Sequence, residues 1–191
     1  MSQYYYTVAS LPALLFHTQP ALTTAQFLEI CSISLKKVDL DLLRRLDLGQ
    51  PQKAALKPGS GPVVLTRWQT WEINLRNALA RLRAKNRSFV AEPFLQQAAE
   101  DYSAVLAAQA AFEEPSPLRA EELLDQARWQ FLEQQTGGHY FDLSSLIIYA
   151  LKLQILERRF ALQPEAGRVK YNAIMQTFKQ TIQSREQTYG I

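Results

Sequence analysis

The chain has little of the side-chain chemistry on which most enzymes and secreted proteins depend. Its 191 residues include one cysteine, Cys31, and two histidines, His17 and His139. A lone cysteine cannot form an internal disulfide, which fits a reducing compartment, and on an apolar helix face it is typical of core packing. The two histidines lie far apart in sequence, and neither has a second ligand at metal-binding spacing. We therefore predict no metal site, no cofactor and no cysteine nucleophile.

Long apolar runs are also missing. The run at residues 146–151 is far shorter than the roughly 20 apolar residues that a spanning helix needs. The N-terminus, residues 1–6, lacks the positive start and apolar stretch of a signal peptide. These absences predict a cytoplasmic protein without a transmembrane segment.

The chain has no phosphate-binding loop of the P-loop type. Residues 59–62 read Gly-Ser-Gly-Pro, but no Lys-Ser/Thr pair follows, and Pro62 lacks an amide donor. A linker explains this segment better than a nucleotide site does. An enzyme whose site is assembled from dispersed carboxylates is the weakest alternative, so we predict no catalytic residue and no small-molecule substrate.

Helix-forming residues dominate what is present. Apolar residues make up 47% of the chain and charged residues 20%, which is the balance of a folded globular protein. Apolar side chains recur at three- and four-residue steps, the period of an amphipathic helix. The pattern predicts an all-α bundle of about seven helices, in one body or two lobes, near 24–33, 35–46, 66–86, 94–112, 118–136, 143–162 and 165–185.

Polar and proline residues mark where these helices begin. We expect side-chain caps at Thr23 or Thr24, at Ser34, at Ser116 before Pro117, and at Asp142. Thr66 with Gln69 fits a capping box, while Pro93 and Pro164 each open a helix. The last helix is predicted to bury an inner face made of Tyr171, Ile174, Met175, Phe178 and Ile182.

A proline- and glycine-rich stretch divides the chain. Three prolines and three glycines lie within residues 49–62, a composition that opposes any regular element. We predict N-terminal helices over residues 1–48 that pack on the body, a flexible loop over 49–65, and the main helical body over 66–191. The opening Tyr4–Phe16 is expected to form a short helix or an extended lead-in.

The helix predicted at 66–86 carries an apolar stripe and a basic face. The stripe, which includes Trp68 and Trp71, must bury against another element. From Arg67 to Arg87, six arginine and lysine residues stand against one glutamate, a local excess of five. Within this helix, Glu72 and Arg76 have the spacing of an i,i+4 pair. The candidate interaction residues are Arg67, Glu72, Asn74, Arg76, Asn77, Arg81, Arg83, Lys85 and Arg87.

An acidic stretch follows the basic one. Between Glu100 and Asp125, seven carboxylates stand against one arginine, a local deficit of six. Segregated charge of opposite sign has three explanations: a solvated face, docking within the fold or between proteins, or nucleic-acid binding by the basic segment. The tryptophans fall on the predicted buried stripe and not on the basic face, which disfavours base stacking.

Several stretches resemble a known bacterial family. These are Tyr4–Pro12 and Trp71–Lys85, together with a tail containing Leu146–Arg159 and Gly167–Asn172. They resemble an uncharacterised family encoded beside subunits of rotary V-type (A/V-type) ATPases, which is similar to the C subunit, called d in eukaryotes. The latter is a helical funnel of three lobes between the central stalk and the membrane ring, whereas this chain is long enough for about two.

The resemblance implies a non-catalytic subunit of a V-type ATPase or ATP synthase. A protein of this type couples the rotor stalk to the membrane ring in proton or sodium transport. It carries no active site of its own and lies in the cytoplasm or peripherally on the cytoplasmic face of the membrane. The expected partners are the stalk and ring subunits. The alternative is a helical nucleic-acid-binding or regulatory protein that uses the basic helix at residues 67–87.

Overall fold

Every regular element that the structure describes is helical. The computed structural model describes residues 3–54, 61–87, 89–162 and 164–189. Its α-helices are α1 (Gln3–Ser10), α2 (Thr24–Ser34), α3 (Lys37–Arg45), α4 (Val63–Arg87), α5 (Tyr102–Glu113), α6 (Pro117–Gln134), α7 (Leu143–Ala161) and α8 (Pro164–Tyr189). Two 3-10 turns occur at Pro51–Ala54 and Glu92–Phe94. The all-α prediction is confirmed, and α1 supplies the one α-helix beyond the predicted seven.

Three of the predicted helix starts have the predicted caps. Thr23 precedes α2 and forms a capping box, with its hydroxyl accepting from the Gln26 amide and its own amide donating to the Gln26 side chain. Ser116 caps α6, whose first residue is Pro117. The Asp142 carboxylate accepts from the Ser145 amide at 2.8 Å at the start of α7. These caps satisfy amides that have no partner within the helix.

The predicted Ser34 cap is wrong. Ser34 is the last residue of α2, and its hydroxyl hydrogen-bonds the hydroxyl of Thr7 in α1. The N-cap of α3 is Lys36, which makes no side-chain capping bond. The Ser34 hydroxyl, which the local sequence predicted to be a cap, therefore makes a tertiary contact instead.

The start of α5 was also predicted wrongly. Pro93 opens only the 3-10 turn Glu92–Phe94, and α5 begins at Tyr102. Asp101 caps α5 by accepting from the amides of Ser103 and Ala104. The intervening residues, 95–101, are irregular because side chains of α4 bind their backbone in place of helical partners.

The start of α4 lies earlier than expected. Val63 is its first residue, and the Pro62 carbonyl accepts from the Leu65 amide, so Thr66 lies inside the first turns and not at a cap. Part of the predicted loop at 49–65 is thus helical, at Pro51–Ala54 and from Val63. Residues 55–60 lie outside the described residues, and flexibility of the loop stays a prediction.

The chain forms two compact units, Met1–Glu157 and Arg158–Ile191. The first unit is built around α7, whose side chains are buried nearly all round, as its sequence predicted. In this unit α4 packs on α5, α5 on α6, α1 on α2 and α2 on α3. The largest inaccessible side chains of the core include Phe27, Leu43, Trp68, Trp71, Leu75, Leu132, Leu146, Ile147, Leu151, Leu153, Ile155 and Leu156.

The second unit contains α8, and the predicted inner face of that helix is not covered within this unit. Tyr171, Ile174, Phe178 and Ile182 are all exposed. The prediction that this face is buried is therefore wrong for the structure as described. Among the described residues, no helix is both long and apolar enough to cross a membrane.

Candidate functional site

A group of four charged side chains, three of them buried, lies where α4 meets α6. Glu72 of α4 is completely inaccessible, and Arg128 of α6 is 6% exposed. Arg128 binds both carboxylate oxygens of Glu72, through Nε at 3.0 Å and Nη2 at 3.0 Å. Its Nη1 donates to Asp125 at 3.1 Å, and Arg76 Nε donates to Glu72 at 2.9 Å. We call Glu72, Arg76, Asp125 and Arg128 the Glu72 cluster.

The Glu72 cluster is electrically balanced, with two carboxylates facing two guanidinium groups. Burial by itself lowers the pKa of Arg128, but the charges and hydrogen bonds of Glu72 and Asp125 outweigh it and raise that pKa above its usual value. The bidentate contact fixes geometry as well as charge, because a planar guanidinium matches a carboxylate in one orientation. This buried contact joins α6 directly to α4.

Arg76 connects the cluster to the N-terminal part of the chain. Its Nη2 and Nη1 atoms donate to the carbonyls of Leu48 at 2.8 Å and Gly49 at 2.9 Å. From α7, Gln154 binds the same segment by donating to the Leu46 carbonyl and accepting from the Leu48 amide. The residues after α3 are therefore clamped between α4 and α7.

Two asparagines of α4 bind the irregular segment before α5. The Asn77 side chain donates to the Gln96 carbonyl at 2.7 Å and accepts from the Gln96 amide at 3.0 Å. Asn74 donates to the Ala99 carbonyl at 2.6 Å. These side-chain amides replace backbone partners that a helix would have supplied, which is why residues 95–101 stay irregular.

The predicted tryptophan stripe is buried, as expected. Trp68 and Trp71 are 1% and 2% exposed, and Trp71 stacks on Phe131 with ring centroids 5.0 Å apart. The Trp71 indole donates to Ser103 Oγ at 3.0 Å, beside the Asp101 cap of α5. The Trp68 indole nitrogen is buried and has no hydrogen-bond partner among the described residues. Neither ring can stack on a base from solvent.

The other predicted candidates point outward. Arg67, Arg81, Arg83, Lys85 and Arg87 are all exposed. Arg67 donates to the Gln135 side chain at 3.3 Å. The last four form what we call the basic end of α4, and none of them forms an ion pair within the described parts of the chain. The nine candidates thus divide into an inward group that fixes α4 and an outward group available for contacts.

Two features of this region were missed by the sequence analysis. Asp125 and Arg128 belong to the cluster, and the available signal was that both lie on the stripe of Leu124 and Leu132. Just beyond α4, Phe89 and Phe94 are exposed and pack edge to face with centroids 6.4 Å apart. This apolar pair follows the basic end of α4 in the sequence.

Other polar groups in the described residues include a buried thiol, a histidine–carboxylate contact and a lysine–carboxylate contact. Cys31 is fully buried, and burial raises the pKa of its thiol to about 12, so almost no thiolate forms near neutral pH. His139 contacts Asp142 through Nδ1 at 2.6 Å, and Lys152 contacts Glu133 at 2.6 Å, beside a cavity of about 250 Å³. In the described ranges, no three histidine, cysteine or acidic side chains group to hold a metal ion.

A second cavity of about 350 Å³ lies beside the aromatic stack. It is lined by Trp71 and Phe131, by alanines of α5 and by Gln126, Gln130 and Gln134 of α6. These glutamines follow one another at four-residue steps along α6, and the lining from α5 consists of the small side chains Ser103, Ala107 and Ala110. None of the described side chains that line it is an acid, a base or a thiol.

Comparison with known proteins identifies a family and no characterised relative. Residues 59–182 match the model of the family described as Protein of unknown function (DUF2764). The match includes α4 with its basic end, the Glu72 cluster, α5, α6, α7 and most of α8. No curated protein and no solved structure matches the chain. Because the match covers more than half of its length, the chain belongs to the DUF2764 family.

Proposed function

We propose that this protein is a non-catalytic component of a rotary V-type ATPase or ATP synthase, similar in role to the C subunit. In this role it couples the central stalk to the membrane ring during proton or sodium transport, in the cytoplasm or at the cytoplasmic face of the membrane. The proposal starts from the resemblance of Tyr4–Pro12, Trp71–Lys85, Leu146–Arg159 and Gly167–Asn172 to the family encoded beside such ATPases. The helical fold is compatible with it.

The observation that carries the proposal is the contrast along α4 between a locked interior and an exposed basic end. Arg81, Arg83, Lys85 and Arg87 project into solvent, followed by the exposed Phe89 and Phe94. Cations next to accessible aromatic side chains are typical of protein interfaces, where complementary charge speeds docking and apolar contacts supply affinity. An acidic, partly apolar surface on a stalk protein is the matching partner.

The Glu72 cluster gives this surface a mechanical role. Force applied at the basic end of α4 passes along a helix that Arg128 ties to α6 and that Arg76 ties to the segment after α3. Because the Arg128–Glu72 contact is buried and both contacts are directional, α4 transmits a push or twist to its neighbours without bending at the cluster. A protein that carries torque needs such stiffness and needs no active site.

The cations of this surface also have a simpler role. Positive side chains in the last turn stabilise a helix by interacting with its dipole, and Lys85 and Arg87 lie in the last turn of α4. Arg81 and Arg83 lie further from the helix end, where this effect has fallen off. They are therefore the residues whose substitution tests partner binding.

The experiment is co-purification of the tagged protein from its native cells at low and high salt. We expect rotary ATPase stalk subunits to be recovered, and less of them at high salt, because the Debye length at physiological salt is about 8 Å. Arg81→Glu with Arg83→Glu should reduce recovery. Lys36→Glu with Lys37→Glu, an equal charge change at another exposed position, is the matched control and should not.

Two further measurements complete this test. The purified protein should neither bind nor hydrolyse ATP, as expected for a component without a nucleotide site. Absence of every stalk and ring subunit from the low-salt preparation would refute the proposed function.

Nucleic-acid binding is the second candidate, and the exposed Phe89–Phe94 pair beside four cations is the observation that favours it. Aromatic rings that single-stranded bases can reach, together with cations for phosphates, are the parts of a sequence-tolerant site. Against it, the two tryptophans of α4 are inaccessible. Recovery of RNA or DNA in place of ATPase subunits, lost on Phe94→Ala, would support this candidate instead.

A further inference from the structure

The second unit presents an apolar stripe that nothing in the described part of that unit covers. Tyr171, Ile174 and Phe178 are each at least 60% exposed, and Ile182 is 42% exposed. Together with the half-buried Met175 they recur at three- and four-residue steps, so they lie on one side of α8. We call these five residues the apolar stripe of α8.

Such a stripe needs a covering surface. Helices in proteins gain most of their stability by burying an apolar face against another surface. Five large side chains in one row also exceed the isolated exposed residues that any surface carries. We therefore expect the stripe to bind another surface. The charges beside the stripe indicate the chemistry of that surface.

Cations border the stripe on both sides. At about 100° per residue, Lys170 lies at one edge of the stripe and Lys179 at the other, near Arg168. Residues 166–184 contain these three cations and no carboxylate. The opposite side of α8 carries uncharged polar side chains such as Gln176 and Gln180. An apolar row between two cationic edges matches a surface that is apolar inside and anionic outside.

Two protein-based partners fit this pattern less well. In a second copy of the chain, α8 would bring cationic edges against cationic edges, which is destabilising. A coiled coil needs apolar heptads sustained over three or four repeats with charges of both signs alongside, whereas the stripe spans only about two heptads with one sign.

We infer that α8 binds the surface of an anionic lipid membrane, lying parallel to it with the stripe immersed at the level of the headgroups. Its 26 residues extend about 39 Å at 1.5 Å per residue. Lysine stems can run along the apolar boundary while their ammonium groups contact lipid phosphates. Polar side chains such as Gln176 and Gln180 lie opposite the stripe, and α8 is not apolar enough to span a bilayer, so the helix lies on the bilayer and does not cross it.

This inference does not depend on the proposed function. Purified protein and pure lipid suffice to test it, whereas the rotary ATPase proposal is tested by which proteins co-purify. Either can therefore fail while the other stands.

The test is co-sedimentation of the full-length protein with lipid vesicles. We expect binding to vesicles of mixed phosphatidylglycerol and phosphatidylcholine, weak binding to phosphatidylcholine alone, and loss of the difference at high salt. Removing each cation, as Lys170→Gln or Lys179→Gln, should weaken binding about fivefold. Ile174→Glu with Phe178→Glu should weaken it more than about a hundredfold, because two immersed side chains are lost.

A matched control separates charge from immersion. Gln176→Glu with Gln180→Glu introduces the same two negative charges on the exposed opposite side of α8. It should bind at least about tenfold more tightly than the stripe variant, with circular dichroism confirming equal helicity of both. The inference would be overturned if the two variants lost vesicle binding equally, or if the protein showed no preference for anionic vesicles. It would also be overturned if sedimentation equilibrium showed a dimer that the stripe variant abolishes.

Discussion

The two ends of α4 differ in the burial and pairing of their charged side chains. Over its first two-thirds, α4 buries Glu72 against Arg128 and holds Asn77 against a backbone segment, so that each of these polar groups has a fixed partner. Over its last two turns, Arg81, Arg83, Lys85 and Arg87 are exposed without an ion pair among the described residues. A buried charge must be paired because desolvation is costly, whereas an exposed one needs only water. The first region therefore fixes the fold, and the second remains available for a partner.

The largest effect is expected at the buried end, from Arg128→Met. The substitution keeps an unbranched side chain of similar length but leaves Glu72 buried with Arg76 as its remaining cation. We expect the free energy of unfolding to fall by about 3–5 kcal/mol, measured by urea denaturation. Arg83→Met, the same change at the exposed end, should alter it by less than about 0.5 kcal/mol.

A second variant sharpens this result. Adding Glu72→Met to Arg128→Met removes one of the two buried carboxylates that Arg128 binds, while Asp125 remains, and the double variant should recover part of the lost stability. Equal stability losses for Arg128→Met and Arg83→Met would show that the Glu72 cluster does not contribute more than exposed charge.

The second-largest loss of stability is expected in the aromatic stack next to the Glu72 cluster. Trp71→Ala should lower the free energy of unfolding by about 3–4 kcal/mol, because a buried ring is lost together with its hydrogen bond to Ser103. The lower part of the usual range is expected, since Trp71 already borders a cavity of about 350 Å³. An unchanged denaturant midpoint would instead indicate that Trp71 is a contact residue exposed in solution.

A smaller loss is expected where α4 binds the segment before α5. Asn77→Ala removes both hydrogen bonds to the backbone of Gln96 and should lower the free energy of unfolding by about 1–2 kcal/mol. Amide hydrogen exchange should also speed up at Gln96. Exchange at the core amides of α7 serves as the internal reference and should change only with global stability.

The smallest effect on stability belongs to the exposed end. Arg81→Glu with Arg83→Glu should change the free energy of unfolding by less than about 0.5 kcal/mol and leave the far-ultraviolet circular dichroism unchanged. The same variant is expected to weaken partner recovery, so that stability and binding separate. A large loss of stability would show that these cations pair within the fold, and the contrast along α4 would then be wrong.

Much of the architecture was accessible from local signals. Helical periodicity and caps such as Thr23, Ser116 and Asp142 indicated where helices lie, because the groups that satisfy a helix terminus are near it in sequence. The burial of Trp68 and Trp71 followed from their spacing, and the i,i+4 pairing of Glu72 with Arg76 from theirs. The exposed basic end of α4 was indicated by the same periodicity.

Only the tertiary structure decided which distant groups meet. Arg128 lies 56 residues from Glu72, and no local pattern relates two such charges. Ser34 was predicted to cap α3, but its hydroxyl binds Thr7. Pro93 was predicted to begin a helix, but it precedes an irregular segment whose backbone binds the Asn77 side chain. Helix propensity is worth a few tenths of a kcal/mol per residue, so a single buried polar contact worth about 1–3 kcal/mol overrides it. The sequence determined the helices and most of their faces, and long-range pairing of buried polar groups decided where some of them stop and how they are locked together.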